Sequence, residues 1–167
     1  MPLRCFLSFI EMDQQLMFLD KETFTKVLQS TPLVALDFIV YNAEGKVLLG
    51  QRLNRPAQGY WFVPGGRIFK NEAIAAAFGR LTLAELGQDF AYSEAKLLGI
   101  YDHFYGDYVY GEGISTHYVV LAHQFTVRQL EHLPNVQHDN YAWFDSDQLL
   151  ANELVHPNTK AYFLKGL

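Results

Sequence analysis

The stretch GRIFKNEAIAAAFGRLTLAELG, residues 66–87, decides the fold. It follows Pro64 and Gly65, and the adjacent glycines Gly65 and Gly66 let the backbone approach a ligand closely and leave carbonyl groups for a hard cation. The run from Ala73 to Leu86 is rich in Ala and Leu and ends at Gly87, which predicts a helix with a glycine C-cap. The stretch therefore predicts a glycine loop that leads into a helix.

Two carboxylates of this stretch differ in their relation to the helix. Glu85 lies near the C-terminal end, where the helix dipole disfavours a negative charge, so it is a candidate metal ligand. Glu72 lies near the helix start, where a negative charge is favourable, and it is more consistent with a capping or salt-bridging residue.

The segments around this stretch alternate between helical and strand patterns. We predict strands at 33–41, 46–52, 60–63, 96–105, 116–127 and 141–144, and helices at 16–30, 73–86, 146–151 and 158–164. Asp20 is the candidate N-cap of the first helix. The first two strands are predicted to form a hairpin, a break is predicted at residues 64–66, and a loop rich in Gly and Tyr is predicted between 105 and 116. This order predicts one α+β domain with a helix packed on a mixed sheet.

The composition limits the classes of partner and compartment. The 167-residue chain has a formal charge of −5 with its basic residues scattered, which argues against a nucleic-acid polymer as partner but is compatible with a small phosphorylated ligand bound by a few arginines. A lone cysteine, Cys5, and the lack of a long apolar run predict a cytoplasmic protein with no membrane partner. Residues 1–16 are a possible disordered leader before a domain at 17–167, and the start at Met1 or Met17 stays open.

The spacing within residues 66–87 resembles the Nudix box. That box runs Gly, five residues, Glu, seven residues, Arg-Glu, an aliphatic residue, any residue, Glu-Glu, any residue, Gly and an aliphatic residue. Five positions match, namely Gly66, Glu72, Arg80, Glu85 and Gly87, while Leu81, Thr82, Ala84 and Gln88 depart from the pattern. Leu81 and Ala84 replace two carboxylates that bind metal in the box. The resemblance implies a Nudix-type α/β/α sandwich with the box helix packed on the sheet.

One branch of this family, the GDP-mannose mannosyl hydrolases, has the same defect in its box. The resemblance to that branch covers about residues 17–165 and is carried by residues 30–34, 54–67, 116–121 and 137–139. It implies hydrolysis of GDP-mannose, and of GDP-glucose as well, to GDP and the free sugar by attack of water at the anomeric carbon. It also implies a homodimer.

The resemblance further implies a role for individual residues. One Mg²⁺ per subunit would be held by the backbone carbonyl of Gly65, by Glu85 and by Gln137, with phosphate oxygens and water completing an octahedron. His138 would be the general base, and Arg52, Arg67 and Tyr118 would contact the diphosphate. Arg80 would pair with Glu72, although a phosphate contact stays open. The sugar and nucleotide would contact Asp37, His103, Tyr105, Phe18, Leu19 and Phe24, the last three being equally consistent with a helix face in the core.

Two other functions stay open. A conventional Nudix pyrophosphohydrolase acting on a nucleoside diphosphate derivative would require the missing glutamates. A catalytically inactive nucleotide-sugar-binding protein would not need Glu85, Gln137 and His138 together.

Overall fold

The computed structural model describes residues 19–134 and 138–164, and for residues 138 and 139 it describes the backbone only. The α-helices in this part of the chain are α1 (Lys21–Ser30), α2 (Ile74–Leu86), α3 (Ser146–Ala151) and α4 (Pro157–Ala161), and a 3-10 helix covers Tyr92–Glu94. The strands are β1 (Leu33–Tyr41), β2 (Val47–Arg52), β3 (Trp61–Phe62), β4 (Gly65–Arg67), β5 (Lys96–Tyr108), β6 (Gly111–Thr126) and β7 (His138–Phe144). Within the described segments, no helix is long and apolar enough to cross a bilayer.

The strands form one mixed sheet around β1. The order is β3-β2-β1-β6-β5, with β1 and β6 parallel and the other neighbours antiparallel. Two strands lie off this path, since β4 pairs with β1 and β7 pairs with β2. The predicted β1–β2 hairpin is confirmed at Tyr41 opposite Val47, and the predicted α+β class with a mixed sheet is confirmed as well.

Both faces of the sheet are covered, which explains why β1 reads as an almost continuous apolar run. On one face Leu36, Phe38 and Val40 pack in a cluster with Ala77, Phe78, Leu81 and Leu86 of α2. On the other face Ile39 packs with Leu149 of α3 and with Tyr162, which follows α4. Helices on both sides of the sheet confirm the predicted three-layer arrangement.

The helix ends depart slightly from the prediction. The first helix starts at Lys21 rather than at residue 16, because Asp20 is its N-cap and accepts a hydrogen bond from the backbone of Thr23 at 3.0 Å. Residues 16–18 lie outside the described part of the chain. The last helix starts at Pro157 rather than at Asn158, since His156 caps it through Nδ1 and Pro157 occupies its first turn.

The break predicted at residues 64–66 is confirmed at Pro64 but not at the two glycines, and the loop predicted between 105 and 116 was wrong for most of its length. Gly65 to Arg67 form β4 beside β1. The two strands approach each other so closely that position 65 must be a residue without Cβ. The predicted loop between 105 and 116 is a continuation of the β5–β6 ladder to Tyr108 opposite Gly111. The glycines there sit at the turn, where Gly111 and Gly113 have positive φ angles of 144° and 89°.

Candidate active site

A cavity of about 190 Å³ lies over one face of the sheet and collects most of the predicted site residues. Its wall includes Asp37, Arg52, Gly65, Arg67, His103, Tyr105 and Tyr118, and is completed by Ala35, Phe62, Val63, Gly66 and Val120. Strand register explains how residues far apart in sequence meet here. His103 lies opposite Tyr118, and Asp37 lies opposite Gly65, so alternate positions of four strands point to one side of the sheet.

The cationic part of the cavity is formed by two arginines and one tyrosine. The guanidinium of Arg52 lies 5.2 Å from the ring centroid of Phe62, and that of Arg67 lies 4.6 Å from the ring centroid of Phe24. Burial raises the pKa of Tyr118, while the charges of Arg52 and Arg67 lower it, which shows that both arginines act on this hydroxyl. Forked guanidinium donors in a partly buried pocket suit the oxygens of a diphosphate.

The polar part of the cavity is a hydrogen-bonded group of side chains. Tyr162 donates a hydrogen bond of 2.6 Å to Oδ2 of Asp37, and its oxygen lies 3.0 Å from Nε2 of His103. Burial raises the pKa of Asp37 to about 6, although the hydrogen bond from Tyr162 and the charge of Arg52 lower it. Burial lowers the pKa of His103 to about 4, so this imidazole is neutral at neutral pH.

Glu85, the predicted metal ligand, is 3% exposed and is not among the residues that line the cavity. Burial raises its pKa to about 7, while the charge of Arg52 lowers it and the charge of Asp37 raises it. The two charges that act on Glu85 therefore belong to residues that line the cavity. A buried carboxylate with a raised pKa gains stability from a bound cation, which replaces its lost hydration.

The backbone of Gly65 offers a second oxygen. Phe38 donates to the carbonyl of Pro64, and Ile68 donates to the carbonyl of Val34. Because hydrogen-bonded pairs alternate in an antiparallel ladder, the intervening carbonyl of Gly65 points away from β1. A Cβ at Gly65 would also collide with the carbonyl of Leu36 and approach Oδ1 of Asp37 to 2.6 Å, so glycine is required here.

The donors present fit a single hard cation. Glu85 and the carbonyl of Gly65 would supply oxygen ligands, and Gln137, the third predicted ligand, lies outside the described residues. Within residues 19–134 and 138–164, no group of three or more His, Cys, Asp or Glu side chains could hold a metal ion. Oxygen ligands in small number suit Mg²⁺, which keeps several waters and binds substrate phosphates.

The structure describes His138, the predicted base, only through its backbone. His138 begins β7 and is the strand partner of Arg52, which lines the cavity. The backbone at this position therefore runs beside the site. The role of the His138 side chain stays a prediction.

The predicted nucleotide-binding residues of the N-terminal segment lie at or beyond the rim. The guanidinium of Arg67, which lines the cavity, packs over the ring of Phe24, so Phe24 borders the cavity. Leu19 is 43% exposed and does not line the cavity, while Phe18 lies outside the described residues.

Arg80 binds Glu72 in the loop before α2 and does not line the cavity. Its Nε and Nη2 contact the two carboxylate oxygens of Glu72 at 2.6 and 2.7 Å, and Nη2 also donates to the carbonyl of Arg67. The predicted Glu72–Arg80 pair is confirmed.

Two aromatic residues near the cavity were not predicted. Tyr162 contacts both Asp37 and His103, and His156 stacks on Phe62 with 4.6 Å between ring centroids. A His followed by a Pro at residues 156 and 157 is consistent with the start of a helix, so the sequence holds a signal for His156. No local pattern connects Tyr162 with Asp37, which is 125 positions away.

The comparisons with known proteins agree with this geometry. The family model for the NUDIX domain matches residues 31–166. The chain belongs to the Nudix family. A Haloferax volcanii protein described as low-salt glycan biosynthesis protein Agl8 is 38% identical over 137 residues, which cover 81% of this Nudix chain and 83% of that protein.

Solved structures show the same Nudix fold. A MutT protein from Methanosarcina mazei Go1 matches with a TM-score of 0.64 and 17% identity over 80% of this chain and 92% of that chain. A MutT NUDIX hydrolase from Burkholderia pseudomallei matches with a TM-score of 0.59 and 28% identity over 80% and 96% of the two chains. Nudix hydrolases generally use a divalent metal ion such as Mg²⁺ or Mn²⁺ and act on nucleotide substrates.

Proposed function

We propose that this Nudix protein hydrolyses GDP-mannose, and GDP-glucose as a second substrate, to GDP and the free sugar by attack of water at the anomeric carbon. The observation that carries the proposal is the composition of one cavity. Two arginines and a tyrosine line it together with a partly buried carboxylate, an imidazole and a second tyrosine. A diphosphate needs cationic donors and a hydroxyl-rich sugar needs hydrogen-bonding partners, and this lining offers both.

The cationic part would bind the diphosphate. Arg52 and Arg67 would donate forked hydrogen bonds to its oxygens and Tyr118 a further one, and all three would stabilise the charge that accumulates on GDP as the sugar departs. Their partial burial strengthens this effect, since charges in a low-dielectric pocket interact more strongly than in water.

The polar part would bind the sugar. His103 is 4% exposed, Tyr105 is 8% exposed and Asp37 is partly buried, so all three are at least partly desolvated before a ligand arrives. Hydroxyl groups of a hexose can supply the hydrogen bonds that these side chains would otherwise make with water.

The departures from the Nudix box favour this reaction over attack at phosphorus. Leu81 is buried against Gly66, where a Cβ would come within 2.5 Å of its Cδ2, and Ala84 is exposed. Glu85 is therefore the one carboxylate left of the three at the C-terminal part of the box. Bound Mg²⁺, held by Glu85, Gly65 and Gln137, would supply positive charge at the departing diphosphate.

His138 would remove a proton from the attacking water. A neutral imidazole is a suitable acceptor near neutral pH, and Glu85 would be engaged by the metal. The position of the β7 backbone beside Arg52 supports this assignment. The name of the Haloferax relative, a glycan biosynthesis protein, is consistent with a sugar nucleotide as substrate.

A panel of GDP-sugars tests the function directly. The protein is incubated with GDP-mannose, GDP-glucose and GDP-fucose in the presence of Mg²⁺, the nucleotides are separated by chromatography, and phosphate is measured with and without added phosphatase. We expect GDP and free hexose, with phosphate released only after phosphatase treatment. GMP with a sugar phosphate would identify a conventional pyrophosphohydrolase, and binding without turnover would identify an inactive sensor.

A further inference from the structure

Tyr162 links the end of the last helix to two residues that line the cavity, Asp37 and His103. It follows α4 directly and is 7% exposed. Its ring packs edge-on against Tyr101, with 4.8 Å between centroids, and its hydroxyl lies between Asp37 and His103. This hydroxyl is the contact between two predicted sugar-binding residues that sit on different strands.

The hydrogen atoms in this contact can be assigned by counting donors. A tyrosine hydroxyl carries one hydrogen, and the 2.6 Å hydrogen bond to Oδ2 of Asp37 uses it. The 3.0 Å contact with His103 is then a hydrogen bond only if Nε2 carries the hydrogen and the tyrosine oxygen accepts it. Tyr162 remains protonated, since burial raises its pKa well above the ordinary value.

The same contact determines what the two cavity residues offer to a ligand. With its proton on Nε2, the neutral ring of His103 keeps an acceptor at Nδ1. With Oδ2 held by Tyr162, Asp37 keeps Oδ1, which lies on the side of Gly65. Both groups then accept hydrogen bonds, which suits the hydroxyl donors of a sugar.

We propose that Tyr162 is a positioning residue that holds His103 in its Nε2–H tautomer and Asp37 in one orientation, so that both present acceptors to the sugar. The substrate part of this proposal rests on the proposed function. The tautomer part concerns the protein alone and can be measured without any substrate.

The first experiment uses the wild-type protein. Two-bond ¹⁵N–¹H correlation spectra of histidine-labelled protein at neutral pH identify the tautomer of each ring, with His103 assigned by its loss in His103→Gln. We expect a neutral ring protonated at Nε2. A ring protonated at Nδ1, or a charged imidazolium, would overturn the proposal without any variant of Tyr162.

The second experiment compares Tyr162→Phe with Tyr101→Phe. The first variant removes the bridging hydroxyl and keeps the ring, and the control removes a hydroxyl from the neighbouring ring that packs against it. In Tyr162→Phe we expect a changed His103 tautomer signal, affinity for GDP within about twofold of wild type, and kcat/KM for GDP-mannose reduced about tenfold, as expected for one hydrogen bond to a charged group. The control should keep all three values.

The outcomes separate the two proposals. An unchanged His103 signal in Tyr162→Phe, or equal losses of GDP and GDP-mannose binding, contradicts the positioning role. If the wild-type protein fails to act on any GDP-sugar, the proposed function fails, while the tautomer measurements still decide whether Tyr162 positions His103.

Discussion

Arg80 holds both carboxylate oxygens of Glu72 across the loop that precedes α2. The contacts are 2.6 Å from Nε to Oε1 and 2.7 Å from Nη2 to Oε2. The backbone N–H of Phe69 also donates to Glu72 at 2.9 Å, so the pair closes the loop around Asn71, which has a positive φ of 65°. Two residues that match the Nudix box thus form an ion pair that stabilises this loop.

Disrupting the Glu72–Arg80 ion pair should lower the stability of the fold more than it lowers the affinity for metal. We expect Glu72→Gln to lower the free energy of unfolding by about 1–3 kcal/mol, because a half-buried, two-point ion pair loses its charge. Urea denaturation measures the loss, and Glu44→Gln, at an exposed pair with Lys46, is the matched control with little expected effect. A stable Glu72→Gln protein with much weaker Mg²⁺ binding would show that Glu72 is a metal ligand instead.

The helix and strands of this fold were predictable because their signals are local. The Ala- and Leu-rich run before Gly87 predicts α2, and the apolar run from Leu33 to Tyr41 predicts the central strand. The ends of β5 and β6 were not predicted because a segment rich in Gly and Tyr indicates a loop, whereas the positive φ of Gly111 allows the turn of a long hairpin.

The site was predictable only where the resemblance named its residues. Glu85 is the exception, since its place near the C-terminal end of the helix singled it out, whereas the roles of Asp37 and His103 came from the resemblance. Tyr162 could not be found at all, since 125 positions separate it from Asp37 and its role depends on how α4 packs. The assignments of Gln137 and His138 stay predictions.

Glu85 should control metal affinity. Glu85→Gln keeps the size of the side chain and removes its charge, so we expect Mg²⁺ or Mn²⁺ affinity to fall at least about tenfold while the protein remains folded. Calorimetry or paramagnetic Mn²⁺ titration measures this affinity, with Glu94→Gln at an exposed position as control. Unchanged affinity in Glu85→Gln would place the metal elsewhere.

His156 should make the fold sensitive to acid. Burial, followed by the charge of Arg52, lowers the pKa of His156 to about 4 from its ordinary value of 6.5. Because the folded-state pKa is the lower one, its contribution to stability is present above about pH 6.5 and is lost as pH falls through about 4. The ring also accepts a hydrogen bond at Nδ1 from the backbone of Asn158, which requires the unprotonated atom.

The matched variant for this prediction is His156→Asn, which retains a capping side chain and does not titrate. Between pH 6.5 and 4, wild type should lose more stability than His156→Asn, by on the order of 1–2 kcal/mol after allowance for the partial exposure of the ring. Denaturant unfolding at several pH values measures the difference, and His132→Asn, at an exposed position, should follow wild type. Parallel pH curves for wild type and His156→Asn would disprove the assignment.

His138 should set the acidic limb of the rate profile if it accepts the proton from water. We expect His138→Gln to reduce kcat by about 10²- to 10⁴-fold, to leave Mg²⁺ and GDP affinity nearly unchanged, and to flatten the rise of rate between about pH 5.5 and 8. Steady-state rates across this pH range measure the effect. If the variant keeps the wild-type pH profile, another group such as Asp37, Asp139 or His103 is the base.

The bond that breaks is the central claim, and hydrolysis in ¹⁸O-labelled water tests it most directly. In the proposed mechanism Arg52, Arg67 and one metal at the diphosphate would favour departure of GDP, so water would attack carbon and its oxygen would enter the sugar. The protein is incubated with GDP-mannose and Mg²⁺ in ¹⁸O-water for a time short enough to limit exchange at the anomeric position, and both products are analysed by mass spectrometry. We predict label in mannose and none in GDP, whereas label in the nucleotide product would show attack at phosphorus and contradict the account.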